Sequence, residues 1–150
     1  MSEEHGVEGR LVDILRACME EMRIRLLNLL IESDEVCVYH LVEALGESQP
    51  KVSRHLSYLR RAGIVTTRRD GLWVYYRLAE PLDRPATDIL SSLRRACTGS
   101  PVRREDLEKL RMVQVEQPIL RMTQRVTKPD LEVDSRSDLP LTRELDVELL

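Results

Sequence analysis

Apolar residues return every three or four positions through most of the first hundred residues. In "RLVDILRACMEEMRIRLLNLLIES", Leu11, Ile14, Leu15, Cys18 and Met22 lie at helical spacing, followed by Ile24, Leu27, Leu30 and Ile31. One kinked helix or two consecutive helices fit this stretch equally. Arg16, Arg23 and Arg25, with Glu20 and Glu21, supply its solvated side. Residues 1–9 show no such pattern and are expected to form a flexible arm.

A short helix is predicted from Val38 to Leu45, ended by Gly46. Ser48 suits the N-cap of the next helix, and Pro50 falls in its first turn, where no backbone donor is missed. Val52, Leu56 and Leu59 then share one face at i, i+4 and i+7. Gln49, Lys51, Ser53, Arg54, Tyr58 and Arg61 lie mostly off that face, and Gly63 ends the helix. Two helices joined by about three residues around a glycine form the helix-turn-helix pattern, whose second helix enters the DNA major groove. A helix of ~10–12 Å with its side chains matches a groove ~12 Å wide.

The alternation then changes to that of strands. Val65 to Arg69 and Leu72 to Leu78 are rich in β-branched and aromatic residues, with Asp70-Gly71 between them as a two-residue hairpin signal. A basic hairpin after a helix-turn-helix is a wing, with Arg68 and Arg69 beside its tip. A further helix is expected from Pro85 to Cys97, carrying Ile89, Leu90, Leu93 and Ala96. Ser100 and Pro101 suit the start of another, in "VRREDLEKLRMVQVEQ", which Pro118 stops. The expected organisation is a flexible arm over 1–9, a winged helix-turn-helix domain over 10–99, a helical extension over 100–127 and an acidic flexible tail over 128–150. The fold class is mainly α with a small β-hairpin.

Composition narrows this picture. The 150 residues include no Phe and only five aromatics, so Leu, Ile, Val and Met must fill a core of close-spaced helices. So thin a core suggests help from a second subunit. No apolar run is long enough to span a membrane, and the first ten residues lack a signal peptide's order, so a cytoplasmic protein is expected. Cys18, Cys37 and Cys97 are odd in number and widely spaced, as thiols of a reducing cell are.

The formal net charge is -3, yet its distribution is uneven. Residues 1–47 hold 11 carboxylates against 4 Arg, whereas residues 48–78 hold seven basic residues against Asp70 alone. One concentrated basic segment in an acidic chain points to a localised polyanion site. There is no P-loop, no GxGxxG and no HExxH, and an enzyme is not expected. His55 is expected to pack beside the apolar face, and Trp73, Tyr75 and Tyr76 to pack the hairpin. Arg60 and Arg77 are expected only to be solvated.

The run "EVCVYHLVEALGESQPKVSRHLSYLRRAGIVTTRRDGLWVYYRL", Glu35 to Leu78, strongly resembles the ArsR/SmtB family of winged-helix repressors, in order and nearly without gaps. Upstream, "ACMEEMRIRLLNLL" resembles the family's first helical block, with Met22 where Thr is usual. The resemblance covers roughly residues 11–97. It implies a homodimer formed by the first and last helices of the domain. That dimer would bind double-stranded operator DNA at an inverted repeat and leave when an inducer binds. It also implies that Gln49, Ser53 and Arg54 meet bases and phosphates. Gln can pair with adenine and Arg with guanine. Lys51, Tyr58 and Arg61 fit phosphate contacts, which position without specifying. Arg68 and Arg69 belong to the wing.

Many family members carry Cys-Val-Cys where this chain has "VCVYHL", as thiolates for As(III), Cd(II) or similar soft ions. Here Cys37 is kept, Tyr39 takes the second position and His40 follows. As(III) favours three thiolates, which one local Cys cannot supply. Cys37 and His40 form a C-x-x-H pair that could hold Zn(II) or Cd(II) with a third ligand such as His5. Cys18 and Cys97 lie on the two helices that meet at the dimer interface in the family. They could together bind As(III) or oxidise to a disulfide. The expected function is a repressor released by a thiophilic metal or metalloid such as arsenite. A thiol-redox, sulfur-responsive or inducer-independent regulator stays open. So does a winged helix that binds protein instead of DNA.

Overall fold

The computed structural model describes residues 6–116. His5, the stop at Pro118 and the acidic segment from residue 128 lie outside the described residues. The elements follow in the order α1 (Val7–Cys18), α2 (Glu21–Ile31), β1 (Val36–Cys37), α3 (Val38–Leu45) and α4 (Gln49–Arg61). Then come β2 (Val65–Asp70), β3 (Trp73–Leu78), α5 (Arg84–Ala96) and α6 (Pro101–Glu116). Helix α1 begins at Val7, so residues 7–9 belong to its first turn and not to an arm.

The long apolar stretch is two helices. Glu20 leaves the helical conformation, and its carboxylate accepts from Arg23 N at 3.1 Å to cap α2. Arg23 turns back in the same corner and donates to the Ala17 carbonyl at 2.7 Å and the Arg16 carbonyl at 3.2 Å. These are among the last carbonyls of α1, which have no partner inside their own helix. Arg23 is therefore buried, 6% exposed, and not on the solvated side where its spacing would put it.

Gly46 ends α3 with φ of 64°, and Ser48 caps α4 by accepting from Lys51 N. Val52, Leu56 and Leu59 are fully buried and meet Leu26, Leu30 and Leu41 in the main core. Tyr76 reaches the same core from the sheet.

The sheet has three antiparallel strands in the order β1-β3-β2, one more than the hairpin expected. Val36 pairs with Tyr76 and Cys37 with Tyr75. The hairpin tip also sits one residue later than the dipeptide signal suggests. Asp70 pairs with Trp73, leaving Gly71 and Leu72 as the loop, and Gly71 takes the positive φ of 62°. A two-residue hairpin loop needs that conformation at its first position, and glycine supplies it without strain.

Helix α5 packs on α1 and α2. Arg10, in α1, bonds the Asp83 carboxylate that caps α5 and the Ala62 carbonyl at the end of α4. Helix α6 lies against α2 and α3. Its Leu110 joins the main core, and its Asp106 takes both Arg25 nitrogens, Nε and Nη2, at 2.8 Å each. Glu32 at the end of α2 holds Arg94 of α5 at 2.9 Å and Arg103 of α6 at 2.6 Å. The helix from Pro101 is thus built into the domain's core. No helix among the described residues is long and apolar enough to cross a membrane.

Candidate nucleic-acid interface

Helix α4 has one buried side and one open side. Lys51, Arg54 and Arg61 are exposed on the open side, whereas Gln49, Ser53 and Tyr58 are half-buried. No carboxylate stands on the helix itself. Lys51 Nζ lies 3.1 Å from Glu47, four residues before it. Ser53 Oγ is shut off from solvent and has no hydrogen-bond partner among the described residues.

Tyr58 is held from behind. The Arg23 guanidinium lies 4.1 Å over its ring, and Arg23 Nη1 is 3.4 Å from His55 Nδ1. Glu20 comes within 3.6 Å of the same imidazole nitrogen. Burial pushes the His55 pKa below its ordinary value. Glu20 opposes that shift, and Arg23, Lys51 and Arg54 add to it. His55 is thus packed against the helix corner, as its position beside the apolar stripe suggests.

In the wing, Arg69 is exposed beside the tip. Arg68 is not presented as an open cation: it holds Glu35, with Nη2 at 2.6 Å from Oε1 and Nε at 3.1 Å from Oε2. Its guanidinium also lies 4.6 Å over the Tyr75 ring. Sequence reasoning missed Glu35, because nothing in its neighbourhood marks it as a wing residue. Trp73 and Tyr75 are buried with Cys37 in a small cluster, against which Tyr39 packs. They pack the hairpin, as expected.

Among the candidate inducer residues, Cys18 ends α1, Cys97 follows α5, and Cys37 and His40 lie at the junction of β1 and α3. Cys18 and Cys97 are half-buried, Cys37 is buried, and all three are thiols. Burial raises the Cys18 pKa against the pull of Arg23. His40 lies edge-to-face on Tyr39, with ring centroids 5.8 Å apart. Among the described residues no group of three or more His, Cys, Asp or Glu could hold a metal ion. Cys37 and His40 therefore gain no third ligand there.

Comparison with known proteins agrees with this geometry. The family model described as "Bacterial regulatory protein, arsR family" matches residues 20–67, from the α2 cap into β2. The arsenical resistance operon repressor of Escherichia coli is 39% identical over 79 residues, 53% of this chain and 68% of that protein. An arsenic resistance transcriptional regulator of Pseudomonas putida is 47% identical over 66 residues, 44% of this chain and 57% of that protein. The repressor SmtB of Mycobacterium tuberculosis is 47% identical over 68 residues, 45% of this chain and 50% of that protein. The matched stretches thus span from half to about two thirds of these relatives' own lengths.

Among solved structures, HlyU from Vibrio cholerae superposes with a TM-score of 0.54 at 30% identity, covering 64% of this chain and 97% of that one. NolR from Sinorhizobium fredii gives 0.51 at 30% identity, covering 64% and 92%. Fold and relatives together define a winged helix-turn-helix protein of the class of transcriptional regulators. The chain belongs to the ArsR family of bacterial regulatory proteins.

Proposed function

We propose that this chain is a homodimeric repressor that sits on double-stranded operator DNA with an inverted repeat. Helix α4 lies in the major groove, and the wings flank it. The observation that carries this reading is the open side of α4, where Lys51, Arg54 and Arg61 stand exposed opposite buried Val52, Leu56 and Leu59. Gln49 and Arg54 are the base readers by chemistry. Lys51, Tyr58 and Arg61 of α4 and Arg68 and Arg69 of the wing meet phosphates and position the domain, and Ser53 flanks the base readers. The dimer is supported by Val12 and Leu15 on α1 and Met19 at its C-cap, an apolar stripe that stays exposed. Titration of a duplex at several salt concentrations tests the DNA reading. A dimer that neutralises some eight phosphates gives a log-log slope of roughly -7. A flat response would favour a protein-binding winged helix.

The inducer in this reading is a thiophilic metal or metalloid such as arsenite, Cd(II) or Zn(II). It releases DNA by binding the DNA-incompetent form more tightly. The names of the Escherichia coli and Pseudomonas relatives support arsenic chemistry. One chain does not assemble three thiolates, so an As(III) site here draws Cys18, Cys97 or Cys37 from both subunits. A second reading, a thiol-redox or sulfur-responsive regulator, is favoured by the free, half-exposed thiols of Cys18 and Cys97. The raised pKa of Cys18 weighs against it, because the thiolate is the reactive form. Titrating the DNA-bound protein with As(III), Cd(II), Zn(II) and a mild oxidant separates the two. If none releases DNA, both fail.

A further inference from the structure

The Arg68–Glu35 pair has the geometry of a phosphate contact already made. Glu35 accepts from Arg68 Nη2 and Nε through both carboxylate oxygens. Tyr75 lies under the same guanidinium, and Asp70 stands 3.9 Å away. Arg68 and Cys37 are both register partners of Tyr75, so they occupy one side of the sheet, and Glu35 is two residues before Cys37. The pair is nevertheless open to an exchanging anion, with side chains 50% exposed for Arg68 and 26% for Glu35. A DNA phosphate offers the same two-oxygen fork to a guanidinium.

We propose that Glu35 is an internal stand-in for DNA phosphate. It occupies the wing guanidinium in the free protein and thereby sets the affinity of the wing for DNA. This inference rests on the DNA-binding reading above. When Arg68 passes from Glu35 to a phosphate, the counterion released from DNA is balanced by the cation that the uncovered carboxylate takes up. The contact then adds almost nothing to the salt dependence of binding. Without the carboxylate, the same contact releases a counterion uncompensated. The log-log slope steepens by about 0.9 per wing, and binding at 0.1 M salt tightens roughly 8-fold per wing.

The test uses the full chain and a mixed-sequence duplex of about three helical turns, since a phosphate contact is independent of sequence. Glu35→Gln keeps the shape of the side chain and removes its charge. It is expected to bind more tightly with the steeper slope, and Arg68→Ala in the same chain is expected to cancel the gain. Arg68→Ala alone is expected to leave the slope of the unaltered chain unchanged. The inference is overturned if the unaltered chain binds with a steep salt dependence while Glu35→Gln weakens binding or keeps the slope. It is overturned equally if Arg68→Ala alone flattens the slope by about 0.9 per wing, the share of one whole phosphate. If the unaltered chain shows no salt-dependent binding at all, the DNA reading falls first and takes this inference with it.

Discussion

Arg23 of α2 lies 4.1 Å over the ring of Tyr58 of α4, while its other edge closes the carbonyl end of α1. One buried side chain therefore joins the helix with the exposed apolar stripe to the helix with the exposed cations. A shift of the α1–α2 corner would have to break or carry along the contact between Arg23 and Tyr58. Arg23 thus lies between the side proposed for dimerisation and the side proposed for DNA.

Removing that side chain is costly. Arg23→Ala removes the side-chain donor of the Ala17 carbonyl, leaves the Arg16 carbonyl only its bond from Met19 N, and takes the cation from the Tyr58 ring. The expected loss is about 2–4 kcal/mol, read as a lower denaturant midpoint with an unchanged slope. Arg23→Lys should recover less than half of it, since an ammonium cannot fork to two carbonyls and stack on a ring together. Full recovery by Lys would show that charge alone matters at this position.

The ion pair between α2 and α6 is the second weak point. Asp106 has a side chain 3% exposed and meets both Arg25 nitrogens. That bond is the main reason why the Arg25 pKa lies above its ordinary value. Asp106→Ala strands a partly buried guanidinium and is expected to cost about 2–4 kcal/mol. Because the lost anchor belongs to α6, the amides of that helix should lose hydrogen-exchange protection before those of α2 and α3. Equal loss across all three helices would mean that α6 does not open as a separate unit.

How far the sequence reads correctly depends on how local each cause is. Helix α4 is legible because its cap, its proline and its apolar stripe all lie within fourteen residues, and each acts on the residues beside it. The hairpin is legible for the same reason. Its tip is displaced by one residue, because the positive φ at Gly71 draws Asp70 into the ladder. Strand β1 is not legible. Two residues carry no period, and Cys37 also serves as the N-cap of α3. The partners of Arg68 and Asp106 are not legible either, since they stand 33 and 81 residues away. Charge partners at that range follow from the packing of the whole domain and leave no trace in a local pattern.

His55 makes stability depend on pH. Burial lowers its pKa in the folded chain, with Arg23, Lys51 and Arg54 acting in the same direction and Glu20 against. The unfolded chain therefore binds a proton that the folded chain resists, and stability falls as pH drops through the ordinary histidine value of 6.5. Denaturant midpoints at about pH 7.5 and about pH 5.5 should differ more for the unaltered chain than for His55→Gln, since this window brackets histidine titration. A difference of equal size in both would assign the pH dependence to other groups.

Arg54 and Arg61 are both exposed on α4, seven residues apart, and the DNA reading gives them different work. A guanidinium that pairs with a guanine discriminates, so Arg54→Ala should cost about 1–3 kcal/mol and relax the preference at one base position. A guanidinium on a phosphate does not discriminate. Arg61→Ala should therefore weaken binding to all duplexes alike and make the salt slope shallower by about 0.9 for each phosphate no longer neutralised. Measuring both variants on a panel of single-base-altered duplexes, at two salt concentrations, reads the two effects separately. Uniform weakening by Arg54→Ala would move it to the phosphates and leave Gln49 as the base reader on this helix.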